Sequence, residues 1–176
     1  MNRTELVQTL ANFFAPLGPF VSAEERETQW LGWLKTLQEE TVPSLLDLLI
    51  NPPQADDYEP ASWQEFEFEV TEALTAICLR NPQHWLEVLG PQLTNPSARP
   101  GIIEVIGGLG LAEGLSWLKP LIDKTDMTTD EWVRLACSLG MIGGPEARSL
   151  LKQMETLPEI PADEVLKEIK IAMDYC

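Results

Sequence analysis

Apolar residues recur every three to four positions along most of the chain, which is the period of amphipathic α-helices. One series of stripes comprises Val70, Leu74 and Ile77, then Ile102, Val105, Ile106 and Leu109, then Trp132, Leu135, Ala136, Leu139 and Ile142. A second series follows these in alternation and comprises Trp85, Leu86, Leu89 and Leu93, then Trp117, Leu118 and Leu121. The alternation predicts helices arranged in pairs, each helix with one buried face.

The helix pairs belong to a sequence repeat. The segment 106–121 aligns with 139–154 at an offset of 33 residues, so that Gly107 meets Gly140 and Gly110 meets Gly143. The segment 74–89 aligns with 106–121 at an offset of 32 through its apolar positions. Such self-similarity is typical of arrays in which each unit buries its apolar face against its neighbours.

Several helix starts are marked by local signals. The capping-box spacing, in which a Ser or Thr precedes a Glu by three residues, occurs at Ser22–Glu25, Ser62–Glu65 and Thr128–Glu131. Asn81-Pro82 and Gly144-Pro145 place a tolerated cap residue and a proline at the start of a second helix. The alternating segment EFEFEV (65–70) alone would favour a strand, but its capping box and apolar spacing favour a helix.

The glycine-rich stretch SLGMIGGPEARSLL (138–151) is predicted to be a turn between two helices. A phosphate-binding Walker loop needs a lysine and a Ser or Thr after its last glycine, and a strand before it. Neither is present, and Glu146 would repel a phosphate. Gly140 and Gly143 are expected to allow a left-handed helix end or a close approach of two backbones.

The segment WVRLACSLGMIGGPEARSLL (132–151) resembles the short HEAT-like repeat of bacterial proteins, including the phycobiliprotein lyases. The matching positions are Val133, Arg134, Ala136, Leu139, Gly140, Ile142, Gly143, Pro145 and Ala147. Gly144 stands where that repeat usually has Asp. The resemblance continues more weakly over 98–124 and 66–93, and it implies an α-solenoid of stacked antiparallel helix pairs without implying an activity.

The expected fold is therefore all-α, a solenoid of about ten helices in a single domain spanning 1–176. Residues 1–51 would form diverged N-terminal helices, the first of them at about 3–15. Three regular repeats would occupy 62–157, and 161–176 would form a C-terminal capping helix. A loop containing Pro52, Pro53, Asp56, Asp57 and Pro60 separates the diverged part from the regular part.

The formal net charge of −16 excludes some partners and favours others. Such a surface repels the nucleic-acid backbone and anionic lipid, whereas it accelerates encounter with a basic protein. No apolar run approaches the ~18 residues of a membrane span, and no signal peptide is evident. The three scattered cysteines, Cys78, Cys137 and Cys176, indicate reduced thiols and a cytoplasmic protein.

The sequence contains few candidate catalytic residues. His84 is the single histidine, which disfavours a metal site and leaves any catalytic triad dependent on that residue. Cys78 and Cys137 fall on or beside apolar stripes and are expected to be buried, while Cys176 is expected to be exposed. No carboxylate pair lies in a sequence setting apolar enough to mark a raised pKa. We expect no catalytic residue, no cofactor and no metal.

Two surfaces are candidate binding sites for a protein partner. The first, the polar row, lies opposite the stripes of the second helices and consists of His84, Glu87, Ser116, Lys119, Ser149 and Lys152. The second, the acidic-aromatic patch, consists of Asp56, Asp57, Tyr58, Glu59, Glu65 and Phe68. Solvated helix faces and a solvated loop are the alternatives for these two segments.

The sequence thus predicts a non-catalytic module, an adaptor, assembly factor or inhibitor, that binds a protein through these surfaces. A basic partner is the version that the charge favours. The alternative, implied by the repeat resemblance alone, is a subunit of a phycobilin lyase-type enzyme acting on phycobiliproteins. Formation of a coloured adduct from a bilin and an apo-phycobiliprotein would distinguish the two.

Overall fold

A computed structural model describes residues 2–14, 22–59, 61–158 and 163–176. Within these ranges the chain forms ten α-helices and no strand. The helices are α1 (Arg3–Phe14), α2 (Ala23–Thr36), α3 (Val42–Ile50), α4 (Trp63–Cys78), α5 (Pro82–Leu89), α6 (Arg99–Leu109), α7 (Leu115–Leu118), α8 (Thr129–Ile142), α9 (Gly144–Glu155) and α10 (Asp163–Tyr175). The prediction of an all-α fold with about ten helices is confirmed. Residue 15 of the predicted first helix, Pro60, and the first two residues of the predicted capping helix lie outside the described ranges.

The three predicted capping boxes are confirmed, and Asn81 lies at the N-cap of α5 as predicted, whereas the N-cap of α9 is Gly143 and not Gly144. At Ser22, Ser62 and Thr128 the side-chain oxygen accepts a hydrogen bond from the backbone N–H three residues later, and the glutamate there accepts one in return. EFEFEV lies inside α4, so the helical interpretation is correct. Within that segment Glu67 is buried and Phe68 is exposed, because the helical period rather than residue polarity decides which side chain faces inward.

The chain divides into two compact units, Met1–Arg80 and Asn81–Cys176. The prediction of a single domain stays a prediction. In the first unit α1 packs against α3 and α4, and both α2 and α3 pack against α4. The core residues of these helices are almost fully buried and include Leu6, Leu10, Leu45, Leu48, Leu49, Phe66, Val70 and Leu74.

Long-range polar contacts close the ends of the first unit's helices. The Arg80 guanidinium donates to the carbonyl oxygen of Leu37, 2.5 Å away, at the C-terminal end of α2, where main-chain carbonyls lack helical partners. The Arg3 guanidinium bonds both the Asp47 carboxylate and the main-chain carbonyl of Asn51 at the end of α3. These arginines are therefore used in holding the unit together.

In the second unit α6 and α8 lie side by side and run in the same direction. At their N-terminal ends the Arg99 Nε lies 2.5 Å from Glu131 Oε1. Near their C-terminal ends the Ser138 hydroxyl donates to the Ile103 carbonyl at 2.9 Å, and Gly107 contacts Ser138. A methyl group on Gly107 would lie 2.7 Å from the Ser138 Cα, so glycine is what permits this close approach.

The contact between α8 and α10 has the same form. A methyl group on Gly140 would lie 2.9 Å from the Ala172 Cβ. Gly107 and Gly140 are thus matched in the structure as they are in the sequence alignment. The predicted close backbone approach is confirmed at Gly140, and its aligned partner Gly107 has the same role. Gly110 and Gly143, the other aligned pair, end their helices with positive φ values of 65° and 69°.

A buried ion pair joins the starts of α6 and α8. Arg99 and Glu131 are each 2% exposed in their side chains, and Asp126 adds a second carboxylate 3.0 Å from the guanidinium. Burial lowers the pKa of Arg99, but the hydrogen bonds and charges of Glu131 and Asp126 outweigh it, so the net pKa is raised. Glu131 Oε2 also accepts the Thr128 N–H at 2.7 Å, so one glutamate both caps α8 and pairs with α6.

Candidate functional site

The described residues include a histidine, three cysteines and many carboxylates, the groups most often used in catalysis and metal binding. No group of three or more His, Cys, Asp or Glu side chains among them could hold a metal ion. His84 is exposed on α5, and its ring lies edge-on to the Trp85 indole at 4.8 Å. In the ranges given above, no helix has both the length and the apolar character needed to cross a membrane.

Desolvation raises the pKa of all three cysteine thiols. Cys78 is fully buried, and desolvation, followed by the charge of Glu39, raises the pKa of its thiol to about 12. Cys137 is only half-buried, less than expected. Its thiol donates to Glu168 Oε1 at 3.1 Å, and desolvation followed by this carboxylate raises its pKa to about 12. Cys176 is half-buried rather than exposed, and desolvation raises its pKa too.

All six residues of the polar row are exposed. His84 and Glu87 lie on α5, Ser149 and Lys152 on α9, and Ser116 on α7, while Lys119 begins the 3₁₀ turn after α7. Their exposure follows from the burial of the opposite stripe, in which Leu89 and Leu118 are fully buried. The Ser116 hydroxyl already donates one hydrogen bond, to the Glu113 carbonyl oxygen at 2.7 Å. Lys119 and Lys152 thus have their charged groups on the surface.

The acidic-aromatic patch is divided between a helix and a loop. Phe68 on α4 is 58% exposed, as predicted, and exposed Glu65 lies three residues before it on the same helical face. The Ser62 backbone N–H and hydroxyl both donate to the Glu65 carboxylate, at 2.7 and 2.9 Å, which holds the pKa of Glu65 below its ordinary value. This part of the patch therefore presents an aromatic ring beside a fixed negative charge.

The loop residues of the patch face a different environment. Tyr58 is buried, with its ring centroid 5.1 Å from that of Phe66 and 6.1 Å from that of Trp63, so it anchors the loop and contributes little surface. Its exposed acidic neighbours line a polar cavity of about 670 Å³ together with residues of α1; they are Asp56, Asp57 and Glu59. The acidic side chains of the loop remain open to solvent around this cavity.

A second cavity, of about 360 Å³, was not predicted. We call it the Trp30 cavity, and its lining residues are Phe13, Ala23, Arg26, Glu27, Trp30, Glu69 and Glu72. The Trp30 indole N–H donates to Glu72 Oε2 at 2.8 Å. Burial, and then the nearby charge of Glu72, raises the pKa of Glu69 to about 7. The expectation that no carboxylate pair lies in an apolar setting is therefore wrong.

The sequence contains part of the information needed to predict that Glu69 and Glu72 lie in an apolar setting. Glu69 is three residues after Phe66 and four before Ala73, both buried, so it borders the apolar stripe of α4. Its aromatic neighbours come from α1 and α2, about forty or more positions earlier in the chain, and no local pattern reports that proximity. The packing of α1 and α2 on α4 brings them together.

The chain was compared with protein-family models, with curated proteins and with solved structures, and it matches none of them.

Proposed function

We propose that this chain is a non-catalytic protein-binding module, built as a HEAT-like solenoid, that recruits a basic protein partner. In this proposal it serves as an adaptor, assembly factor or inhibitor. The exposed Phe68, set beside the charged Glu65 on α4, is the observation that carries the proposal. Exposed aromatic rings anchor interfaces, and a charged surround steers an oppositely charged partner toward them.

The arrangement of the second unit supports the solenoid part of the proposal. The parallel helices α6 and α8 occupy equivalent places in two successive sequence repeats, the C-terminal helix α10 packs on α8 in the same way, and glycine occurs at both crossings. In repeat arrays, equivalent helices stack on each other and each unit contacts mainly its neighbours.

The polar row would provide a second contact surface. Its residues recur at the repeat spacing on α5, α7 and α9, so an extended partner could meet similar groups in succession. In this proposal the row lines the inner face of the solenoid. Lys119 and Lys152 would pair with carboxylates of the partner, while the acidic-aromatic patch would bind its basic residues.

The experiment is a quantitative pull-down from cells of the source organism with tagged wild-type protein and matched variants. Phe68→Ala and Glu65→Lys should each lower recovery of a specific partner about tenfold or more, since anchor residues commonly contribute 2 kcal/mol or more. Met141→Ala and Glu146→Lys remove an equally exposed apolar side chain and reverse an exposed charge in the second unit. These controls should leave recovery unchanged.

Two outcomes would contradict the proposal. One is equal loss of partner in the patch variants and the controls. The other is recovery that does not fall as salt is raised, because charge-steered association is screened by salt. For the polar row, the double variant Lys119→Glu/Lys152→Glu should weaken the same association, and unchanged affinity would remove the row from the interface.

A further inference from the structure

The Trp30 cavity combines an aromatic wall with carboxylates. The Phe13 ring from α1 lies edge-on to the Trp30 indole from α2, with centroids 4.9 Å apart. Trp33 stands behind both rings, its centroid 5.0 Å from that of Trp30 and 5.7 Å from that of Phe13. Because these rings support one another, the wall is fixed by packing and the cavity is formed without a ligand.

The two carboxylates that α4 contributes to the cavity are not equivalent. Glu72 Oε2 is held by the Trp30 indole N–H. Glu69 Oε2 is buried and has no hydrogen-bond partner among the described residues. A buried carboxylate oxygen without a donor is costly, so a group that donates a hydrogen bond there would be stabilised.

The charges around the cavity define what can enter it. Three carboxylates, those of Glu27, Glu69 and Glu72, are set against one guanidinium, that of Arg26. An anion would be repelled, and a neutral apolar group would leave the Glu69 oxygen without a donor. A cation gains from the carboxylates and also from the aromatic faces, whose electron density attracts positive charge. A compact ammonium fits beside the resident Arg26 more readily than a second planar guanidinium does.

We propose that the Trp30 cavity binds an alkylammonium group, the side chain of a lysine carried by the basic partner. The inference rests on the proposed function for the source of the lysine, since Glu69 and Glu72 lie on the same helix as Phe68 and next to it in the helical turn. Phe68 would anchor the partner's surface, and the cavity would receive one lysine beside that anchor. The cavity volume of about 360 Å³ is ample for one side chain.

The test uses n-butylammonium as the probe and the Trp30 indole N–H as the reporter. In ¹H–¹⁵N spectra, Trp30→Phe identifies the Trp30 resonance among the six tryptophans. Titration with n-butylammonium chloride at pH 8, above the pKa of Glu69, should shift that resonance to saturation. Neither 1-butanol, its neutral isostere, nor sodium chloride at equal ionic strength should do so. A shift no larger than that from sodium chloride would overturn the proposal.

Matched variants locate the binding group. Glu69→Gln should weaken n-butylammonium binding about tenfold, because a charge-assisted hydrogen bond is replaced by a neutral one. Glu40→Gln removes one exposed charge elsewhere in the same unit and should change binding less than about twofold. Equal affinity in wild type and Glu69→Gln would overturn the assignment even if the probe binds.

The two proposals fail separately. If the Phe68 variants lose the partner while Glu69→Gln retains it, the proposed function stands and the lysine-binding role of the cavity falls. If the probe saturates the Trp30 cavity and Glu69→Gln weakens that binding as expected, while no partner depends on Phe68, the ammonium site stands and the proposed function falls. Loss of both probe binding and partner binding in Glu69→Gln would support the two together.

Discussion

Glu69 links the charge of the α4 surface to the stability of the first unit. Its side chain borders the apolar stripe of α4 and faces Arg26 and Glu27 of α2 and Glu72 of its own helix. Arg3 of α1 and Asp47 of α3, on the other helices packed against α4, are paired with each other. Burial therefore raises the pKa of Glu69, and these two paired charges do not compensate for it.

The raised pKa predicts how stability varies with pH. Between its ordinary pKa of 4.5 and about 7, the folded chain keeps a proton that the unfolded chain has released, so this group's contribution to stability is lost as pH rises through that window. Glu69→Gln removes the effect. We expect the variant to gain about 1–2 kcal/mol relative to wild type between pH 4 and pH 8, after allowance for partial exposure.

Urea unfolding at pH 4, 6 and 8 measures this difference. Glu40→Gln, the exposed control, should give a curve of stability against pH that runs parallel to that of wild type. Parallel curves for Glu69→Gln and wild type would show that Glu69 titrates normally in the folded state, and would contradict the placement of its carboxyl against the aromatic wall.

At the scale of helices, the crossing of α6 and α8 depends on a missing side chain. A methyl group on Gly107 would meet the Ser138 backbone as well as its side chain, so relief requires the helices to move apart. We expect Gly107→Ala to destabilise the protein by about 1–3 kcal/mol, the cost typical of overpacking. The measurement is the free energy of unfolding in urea.

Gly32 provides the matched control. It lies in the exposed middle of α2, where an added methyl group would meet nothing within 4 Å. There the same substitution should stabilise the protein by about 0.5–1 kcal/mol, because alanine favours the helix over the unfolded chain. If Gly107→Ala stabilised the protein as Gly32→Ala does, the close crossing of α6 and α8 would be wrong.

The helices themselves could be predicted because their signals are local. The capping boxes at Ser22, Ser62 and Thr128, the apolar period and the glycine turns each act within a few residues. The match of Gly107 with Gly140 also came from the sequence, because repetition converts a long-range contact into a pattern along the chain. Repetition thus made one feature of the tertiary structure predictable.

Features that depend on the course of a loop, or on contacts between helices that no repeat reports, could not be predicted. Tyr58 lies among acidic residues in a loop, which favours exposure, yet the loop folds back so that its ring packs on Phe66. Glu69 was missed because its surroundings come from α1 and α2 in the diverged part of the chain. Arg99 pairs with Glu131, which lies 32 positions later in the chain and was expected only to cap α8. In each case the deciding contact lies outside the local pattern: Glu69 and Arg99 meet residues of other helices, and Tyr58 meets Phe66 because of the course of the loop.

For the whole molecule, the net charge of −16 and the exposure of Phe68 define the expected partner, a basic protein that buries an aromatic anchor. The charge raises the rate of encounter, whereas the anchor and the Trp30 cavity would provide specificity. A partner bound by charge alone would keep its affinity when the Phe68 ring is removed. The dependence on Phe68 is therefore the central claim.

The most direct measurement is photo-crosslinking in cells with p-benzoylphenylalanine placed at position 68, and separately at position 175 as a matched exposed aromatic site. We predict a discrete adduct with one basic protein from position 68, weaker when extracts are irradiated at high salt, and no such adduct from position 175. Absence of a protein adduct at position 68 from the folded variant would contradict the account.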